Sequence, residues 1–318
     1  MNNSSERKRR INFFAIALVG FLLAIVLFGC GGGKGRSIPS DDTPTSGTIQ
    51  ISVDESFKPI IDSQIKVFMA LFPQTHVIPH YKPEAECLKD LTNDSIRMVI
   101  VTRGLSEEEV KYLKDTLEFA PIWDKIASDA IAVIVNNKAK DSLFDMSDIR
   151  SLMNGTSGYK LKPVLDGKKA TSTVRFMLDS VLRGVPISPD VAGADSSQGV
   201  IDYVSQHEDA IGFVGVSWVG DLLDPQQLRF VNKVRVASIE AREEEGKYIK
   251  PYQANIATKR YPMTRGLYYI VKENYGGLGR GFANFMQFEK GQLIFRKAFL
   301  VPAKMDFSLR DARITEGE

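Results

Sequence analysis

From residue 48 onward short β-rich runs alternate with helical patterns, and this alternation restricts the possible folds more than any other feature of the chain. Residues 48–53 read as a strand, residues 57–72 carry Ile60, Ile61, Ile65, Phe68 and Met69 at helical spacing, and 76–81 return to a strand. A helix after Pro83, a strand over 98–101 and a helix over 106–113 follow, the last opened by a capping box of Ser106 and Glu109. Another strand is expected near 118–122. Residues 129–135 form an apolar run behind Asp129 and end at Asn136-Asn137, the pattern of a buried strand with a turn after it. Such alternation predicts mostly parallel sheets covered by helices on both faces.

A second series repeats the rhythm, with strands over 162–165, 211–214 and 266–271 and helices over 146–152, 173–182, 198–205, 282–289 and 292–298. Residues 241–250 interrupt it as a charged stretch of poor pattern. The full chain of 318 residues is 43% apolar and 25% charged, ordinary globular material that allows two lobes with separate cores. Forty-one basic residues against thirty-nine acidic ones leave a formal charge of +2, which gives no electrostatic footprint for nucleic acid.

The amino terminus has a different character. Arg7, Lys8, Arg9 and Arg10 precede an apolar run over 13–28 broken only by Gly20, and Leu27-Phe28-Gly29-Cys30 resembles the bacterial lipobox. On this reading residues 1–30 are a lipoprotein signal peptide ending at Cys30, whose thiol takes a diacylglycerol. The chain would then be lipid-anchored in the cell envelope, facing the periplasm or the exterior. The alternative is a retained transmembrane anchor, because the run is only slightly shorter than the roughly 20 residues that span hydrocarbon. Residues 31–47 are Gly, Ser, Pro, Thr and Asp with little to bury, a flexible linker. Cys87 is the one other cysteine, so the mature protein has no intramolecular disulfide to stabilise it.

Five short stretches then carry a resemblance: Asp54-Glu55-Ser56-Phe57-Lys58-Pro59 after the first strand, Ala210-Ile-Gly-Phe-Val-Gly215, Tyr261-Pro-Met-Thr-Arg265, Gly291-Gln292 and Val301-Pro302. Their order and spacing over residues 48–302 resemble the periplasmic phosphate-binding protein family. The resemblance implies an α/β, two-lobed periplasmic-binding-protein-like fold, each lobe a mostly parallel sheet flanked by helices, with the ligand cleft between lobes. Residues 48–125 plus 255–318 would form lobe 1 and 126–254 lobe 2, with crossings near Lys125 and Asn255. It further implies capture of inorganic phosphate or a related tetrahedral oxyanion for the permease of an ABC importer, with no cofactor, metal or catalysis.

Recognition of an oxyanion needs unpaired N–H groups at a helix start and hydroxyl donors beside them. Thr171, Ser172 and Thr173 have that chemistry, following the strand 162–165 and the turn at Asp166-Gly167; the family has its Ser-Gly-Thr ligand loop at this position. An ordinary N-cap would need only one of these hydroxyls. Ser56 and Phe57 are the second candidate pair, Ser56 as the N-cap of the first helix with the Phe57 amide turned to the cleft. Thr102 and Arg103 follow the strand 98–101, where open α/β sheets bind ligands, and Arg103 offers a guanidinium for bidentate contact. Arg175 offers another one turn into its helix; an exposed arginine is the competing reading for both.

Two departures from the family bear on the choice of anion. The carboxylate that accepts the proton of hydrogen phosphate is replaced by position with Arg103, and Pro83-Glu84-Ala85-Glu86-Cys87 stands where a glycine-rich loop is usual. Glu55, Glu84 or Asp166 are the candidates to replace the acceptor. Hydrolase chemistry is poorly supported, because Gly215-Val-Ser217-Trp-Val219 lacks the last glycine of a nucleophile elbow. His76 and His80 lie on a strand end, where their spacing builds no zinc site, and Gly167-Lys168 lacks the rest of a P-loop. A tethered sensor or interaction protein that uses the fold without transport is the remaining alternative.

Overall fold

The computed structural model describes residues 42–167, 171–220 and 232–305. Cys30, the expected signal segment 1–30 and residues 31–41 of the expected linker lie outside the described residues. The first half of the body is β1 (Gly47–Asp54), α1 (Lys58–Leu71), β2 (Thr75–Lys82), α2 (Glu84–Lys89), β3 (Ile96–Val101) and α3 (Glu107–Leu117). β1 pairs with β2 and with β3 in parallel, as the strand–helix rhythm requires. Helix α1 starts with Pro59 in its first turn, where a missing N–H costs no helical bond, and buries Ile60, Ile61, Ile65 and Phe68. Each such side chain contributes roughly 1.5–3 kcal/mol of burial. The capping box of α3 is present, with Ser106 Oγ accepting the Glu109 N–H and the Glu109 carboxylate accepting that of Ser106.

β4 (Ile122–Asn136) follows as one continuous strand of 15 residues. The sequence pattern instead reads as two strands, near 118–122 and over 129–135. The difference has a packing cause: β4 begins exposed at Ile122 and Trp123 and is wholly buried from Asp129 on, so no single periodicity covers it. After β5 (Leu143–Phe144) and α4 (Met146–Asn154) come β6 (Lys162–Leu165), α5 (Ser172–Phe176), β7 (Ala192–Gly193), α6 (Ser197–Gln206) and β8 (Ala210–Gly215). β6 pairs in parallel with both β7 and β8. A wider helical turn over Met177–Leu182 extends α5 to its expected end.

β9 (Val234–Val236), β10 (Ser238–Ala241) and β11 (Glu244–Ile249) come next, then α7 (Gln253–Ala257), β12 (Thr264–Val271), α8 (Leu278–Gln287), α9 (Glu289–Lys297) and β13 (Val301–Pro302). The stretch 241–250, expected to be irregular, is instead the β10–β11 hairpin, which joins β5 in a small three-stranded sheet. All other strands form one sheet in the order β2-β1-β3-β12-β4-β8-β6-β7, with β9 and β13 on β4. The parallel strands of each half meet through antiparallel β12 and β4, and β13 lies on β4 opposite Ala127 and Ser128. The chain thus crosses between the halves as a ribbon rather than as loose segments.

Asp42 is already packed against the body, ahead of the expected linker end at Gly47. The Asp42 carboxylate is buried, accepts the Leu278 N–H at 3.0 Å and the Tyr275 hydroxyl at 2.8 Å, and pairs with Arg97. Among the described residues no helix is long and apolar enough to cross a membrane.

Candidate functional site

β1 ends at Asp54, and residues Glu55–Phe57 form a tight turn before α1. Asp54 Oδ1 accepts the Ser56 N–H at 2.9 Å, so Asp54, not Ser56, is the capping residue there, and α1 itself begins at Phe57 with no side-chain cap. This corrects the expectation of Ser56 as N-cap and leaves its hydroxyl available. Ser56 Oγ lies 3.2 Å from Asp166 Oδ2 and 3.3 Å from Ser172 Oγ, across more than a hundred residues of sequence. Trp218 Nε1 donates to the Ser56 carbonyl at 2.8 Å, which ties the chain just after β8 to this turn.

The opposing segment comes from the carboxyl end of β6, the edge at which open α/β sheets hold ligands. Asp166 is buried, and three hydroxyls converge on it. Thr171 Oγ1 donates to Asp166 Oδ1 at 2.9 Å, Thr173 Oγ1 to Oδ2 at 2.9 Å, and Ser56 Oγ to Oδ2. Thr171 also accepts the Val174 N–H at 3.1 Å, and so caps α5 while pointing its proton at Asp166. Ser56, Ser172 and Thr173 are fully buried.

Behind these hydroxyls stands Arg265, at the head of β12, directly opposite Asp129 of β4 in the strand register. Its Nε donates to Asp129 Oδ2 at 2.8 Å and its Nη1 to Ser172 Oγ at 2.9 Å, while its guanidinium lies 4.9 Å from the centre of the Phe57 ring. Burial raises the Asp129 pKa above the ordinary carboxylate range, and the Arg265 charge opposes that rise only in part. Arg265 Nη2 makes no hydrogen bond among the described residues. Neither Arg265 nor Asp129 was singled out from sequence. The available signal was a lone charge abutting each of two apolar runs, 129–135 and 266–271.

Thr102 and Arg175 do meet, through Glu84. The Glu84 carboxylate accepts the Thr102 N–H at 2.8 Å and Arg175 Nε at 2.7 Å, and the Thr102 hydroxyl is hydrogen-bonded to Glu84 and Arg175 together. Burial acts to raise the Glu84 pKa, but these partners bring it below its ordinary value. Glu84 therefore links α2, the end of β3 and α5. Glu55 in turn accepts the N–H and hydroxyl of Ser197, the latter at 2.8 Å, at the start of α6. Arg103 departs from expectation: its guanidinium forms a bidentate pair with Glu109 at 2.7 Å for both bonds, and none of its hydrogen bonds reaches Ser56, Asp166 or the 171–173 hydroxyls. The capping-box glutamate, six residues downstream, is the partner it takes.

The cluster is rich in acceptors. Asp54, Asp129, Asp166 and Glu84 share it with the guanidinium groups of Arg265 and Arg175. Burial, reinforced by the charges of Glu84 and Asp166 and resisted by Arg265, pushes Asp54 up to about 7. Chemically, the arrangement combines hydroxyl donors from both halves of the molecule with a desolvated guanidinium, a set suited to binding an anion. Among the described residues no group of His, Cys, Asp or Glu is arranged to hold a metal ion. A cavity of about 640 Å³ lies at the crossing strands, lined by Lys125, Ser128, Lys259 and Thr264 among others, and does not include Ser56, Asp166 or residues 171–173.

Against known proteins, the model of the PBP superfamily domain matches residues 39–289. The phosphate-binding protein PstS of Staphylococcus saprophyticus is 20% identical over 319 residues, covering 92% of this chain and 91% of its own. A Clostridium perfringens protein assigned as a phosphate ABC transporter substrate-binding protein, solved with bound phosphate, superposes with a TM-score of 0.67 at 19% identity, over 81% of this chain and 100% of that one. An ABC-type phosphate transport receptor from Vibrio cholerae superposes with a TM-score of 0.59 at 16% identity, over 80% and 99% of the two chains. At these identities the structural likeness establishes the two-lobed fold.

Proposed function

Because this chain belongs to the PBP superfamily, whose domain model spans residues 39–289, we propose that it is a substrate-binding protein that captures inorganic phosphate, or a related tetrahedral oxyanion, for an ABC importer. The observation that carries the reading is the meeting of Ser56 with Ser172 and Asp166, which brings hydroxyl donors of both halves onto one buried spot beside Arg265. Relatives of the same fold and similar length are named for phosphate, which supports the choice of anion.

In this reading Ser56, Thr171, Ser172 and Thr173 donate hydroxyl hydrogen bonds, the backbone at Phe57 adds an N–H, and Arg265 supplies positive charge. Thr102 and Arg175 act one step back, joined through Glu84 across the cleft. The lobes are residues 48–125 with 255–318, and 126–254. Cys30 carries the lipid that holds the protein at the cell envelope, with the permease as its protein partner. The role is binding and release, without catalysis.

Calorimetric titration of the purified full-length chain with phosphate, arsenate, sulfate and molybdate tests the reading. Saturable heat with phosphate at micromolar concentration is expected. No heat with any of the four at millimolar concentration would overturn it.

A further inference from the structure

We propose that Asp166 is an internal competitor for the oxyanion: its carboxylate holds the hydroxyl donors that the ligand needs, and binding requires its displacement. The inference rests on the oxyanion reading of the cleft. Thr171 and Thr173 donate to Asp166 at 2.9 Å, and Ser56 donates from the opposite half at 3.2 Å. A carboxylate presents two anionic oxygens with about four acceptor positions, much as one face of a phosphate or sulfate does. Asp166 thus bridges the two halves through the same donors, and with the same sign of charge, as an oxyanion between them.

A second observation marks what the carboxylate does not satisfy. Arg265 has a side chain only 4% exposed, and among the described residues its Nη2 has no hydrogen bond while Nη1 and Nε are engaged. This donor lies beside Ser56: a Cβ added at Gly215 would be 3.2 Å from both Arg265 Nη2 and the Ser56 carbonyl oxygen. Among the described residues the hydrogen bonds of Asp166 come from Ser56, Thr171 and Thr173, and none comes from this donor. A four-oxygen anion in the same place has acceptors to spare for it. The charges around Asp166 add to the effect: Asp54 and Glu55 are both repelled by its carboxylate, so an anion gains most when the Asp166 charge leaves.

The test uses the full chain, its Asp166→Asn and Asp166→Gly variants, and inorganic phosphate and sulfate as probes. Asp166→Asn keeps the size of the side chain and lets Thr171 still donate to its carbonyl oxygen, so it removes charge without emptying the space. Both variants should bind phosphate and sulfate roughly 10- to 100-fold more tightly than the native chain, since the hydrogen bonds to Asp166 no longer have to be broken. Sodium acetate should compete with phosphate in Asp166→Gly, replacing the missing carboxylate, and should not compete in the native chain. If the native chain binds phosphate and Asp166→Asn binds it equally or more weakly, Asp166 is a ligand or a bystander and the proposal fails while the phosphate reading stands. If native chain and variants alike bind neither anion, the oxyanion reading fails and the competitor with it.

Discussion

The Arg265–Asp129 pair is the point where a single substitution should be felt most. Arg265 is 4% exposed and Asp129 0%, and they meet at 2.8 Å as direct partners across antiparallel strands. Arg265→Leu leaves Asp129 with its charge buried and unpaired, a change that costs about 3–5 kcal/mol. For a body of this size that is a fall in Tm of roughly 6–20 °C. The double variant Arg265→Leu, Asp129→Leu removes both charges and should recover most of the loss, because a buried pair is close to neutral against apolar replacements. Lys58–Asp62, with both side chains about half exposed at 45% and 46%, is the internal control: Lys58→Ala should cost at most about 1 kcal/mol. Calorimetric melting of the four proteins at one pH decides the matter. A loss below about 1 kcal/mol for Arg265→Leu, or a double variant no better than the single one, would refute the argument that desolvation dominates at this site.

Two further outcomes follow from the perturbed carboxyls. Asp54 rises from 3.8 in the unfolded chain to about 7 on burial, so between those values the folded protein holds the extra proton and its stability falls as pH rises; Asp54→Asn should therefore gain on the native protein from about pH 4 to pH 7, read by denaturant melts along that range. Glu109 lies at about 2, held down first by its bond to Arg103, so its contribution is present above 4.5 and lost as pH falls toward 2. Arg103→Ala should raise the Glu109 pKa in a carbon-detected NMR titration, cost at most about 1 kcal/mol, and leave oxyanion affinity within about twofold of native. A tenfold loss of affinity would return Arg103 to the cleft.

What the sequence made legible was local. Thr171, Ser172 and Thr173 could be found because a helix start declares itself by hydroxyls ahead of an apolar pattern, and all three reach the cluster. Arg265 could not, because its partner Asp129 is 136 residues away and only the register of β12 on β4 brings them together. Arg103 misled for a related reason. Its position at the end of β3 is where ligands bind, but a glutamate six residues on, placed by the capping box, competes for the same guanidinium. The β10–β11 hairpin escaped notice because its turn passes through Glu243 at φ 66, where a glycine or asparagine would ordinarily announce it.

The unbroken run of β4 has a mechanical consequence. At about 3.3 Å per residue the strand is roughly 50 Å long, and its middle is clamped by β12 along one side and by Val301 and Pro302 along the other. Any opening between the two halves would therefore twist a ribbon rather than bend a joint. A rotation of some tens of degrees, shared over eight or so residues, asks each for only a few degrees, well inside the roughly 15–20° scatter of ordinary strand dihedrals. Such a neck would act as a torsion spring, with a restoring force that grows smoothly with angle. Substitutions along it should change stiffness by degrees, and no single residue there can lock the movement.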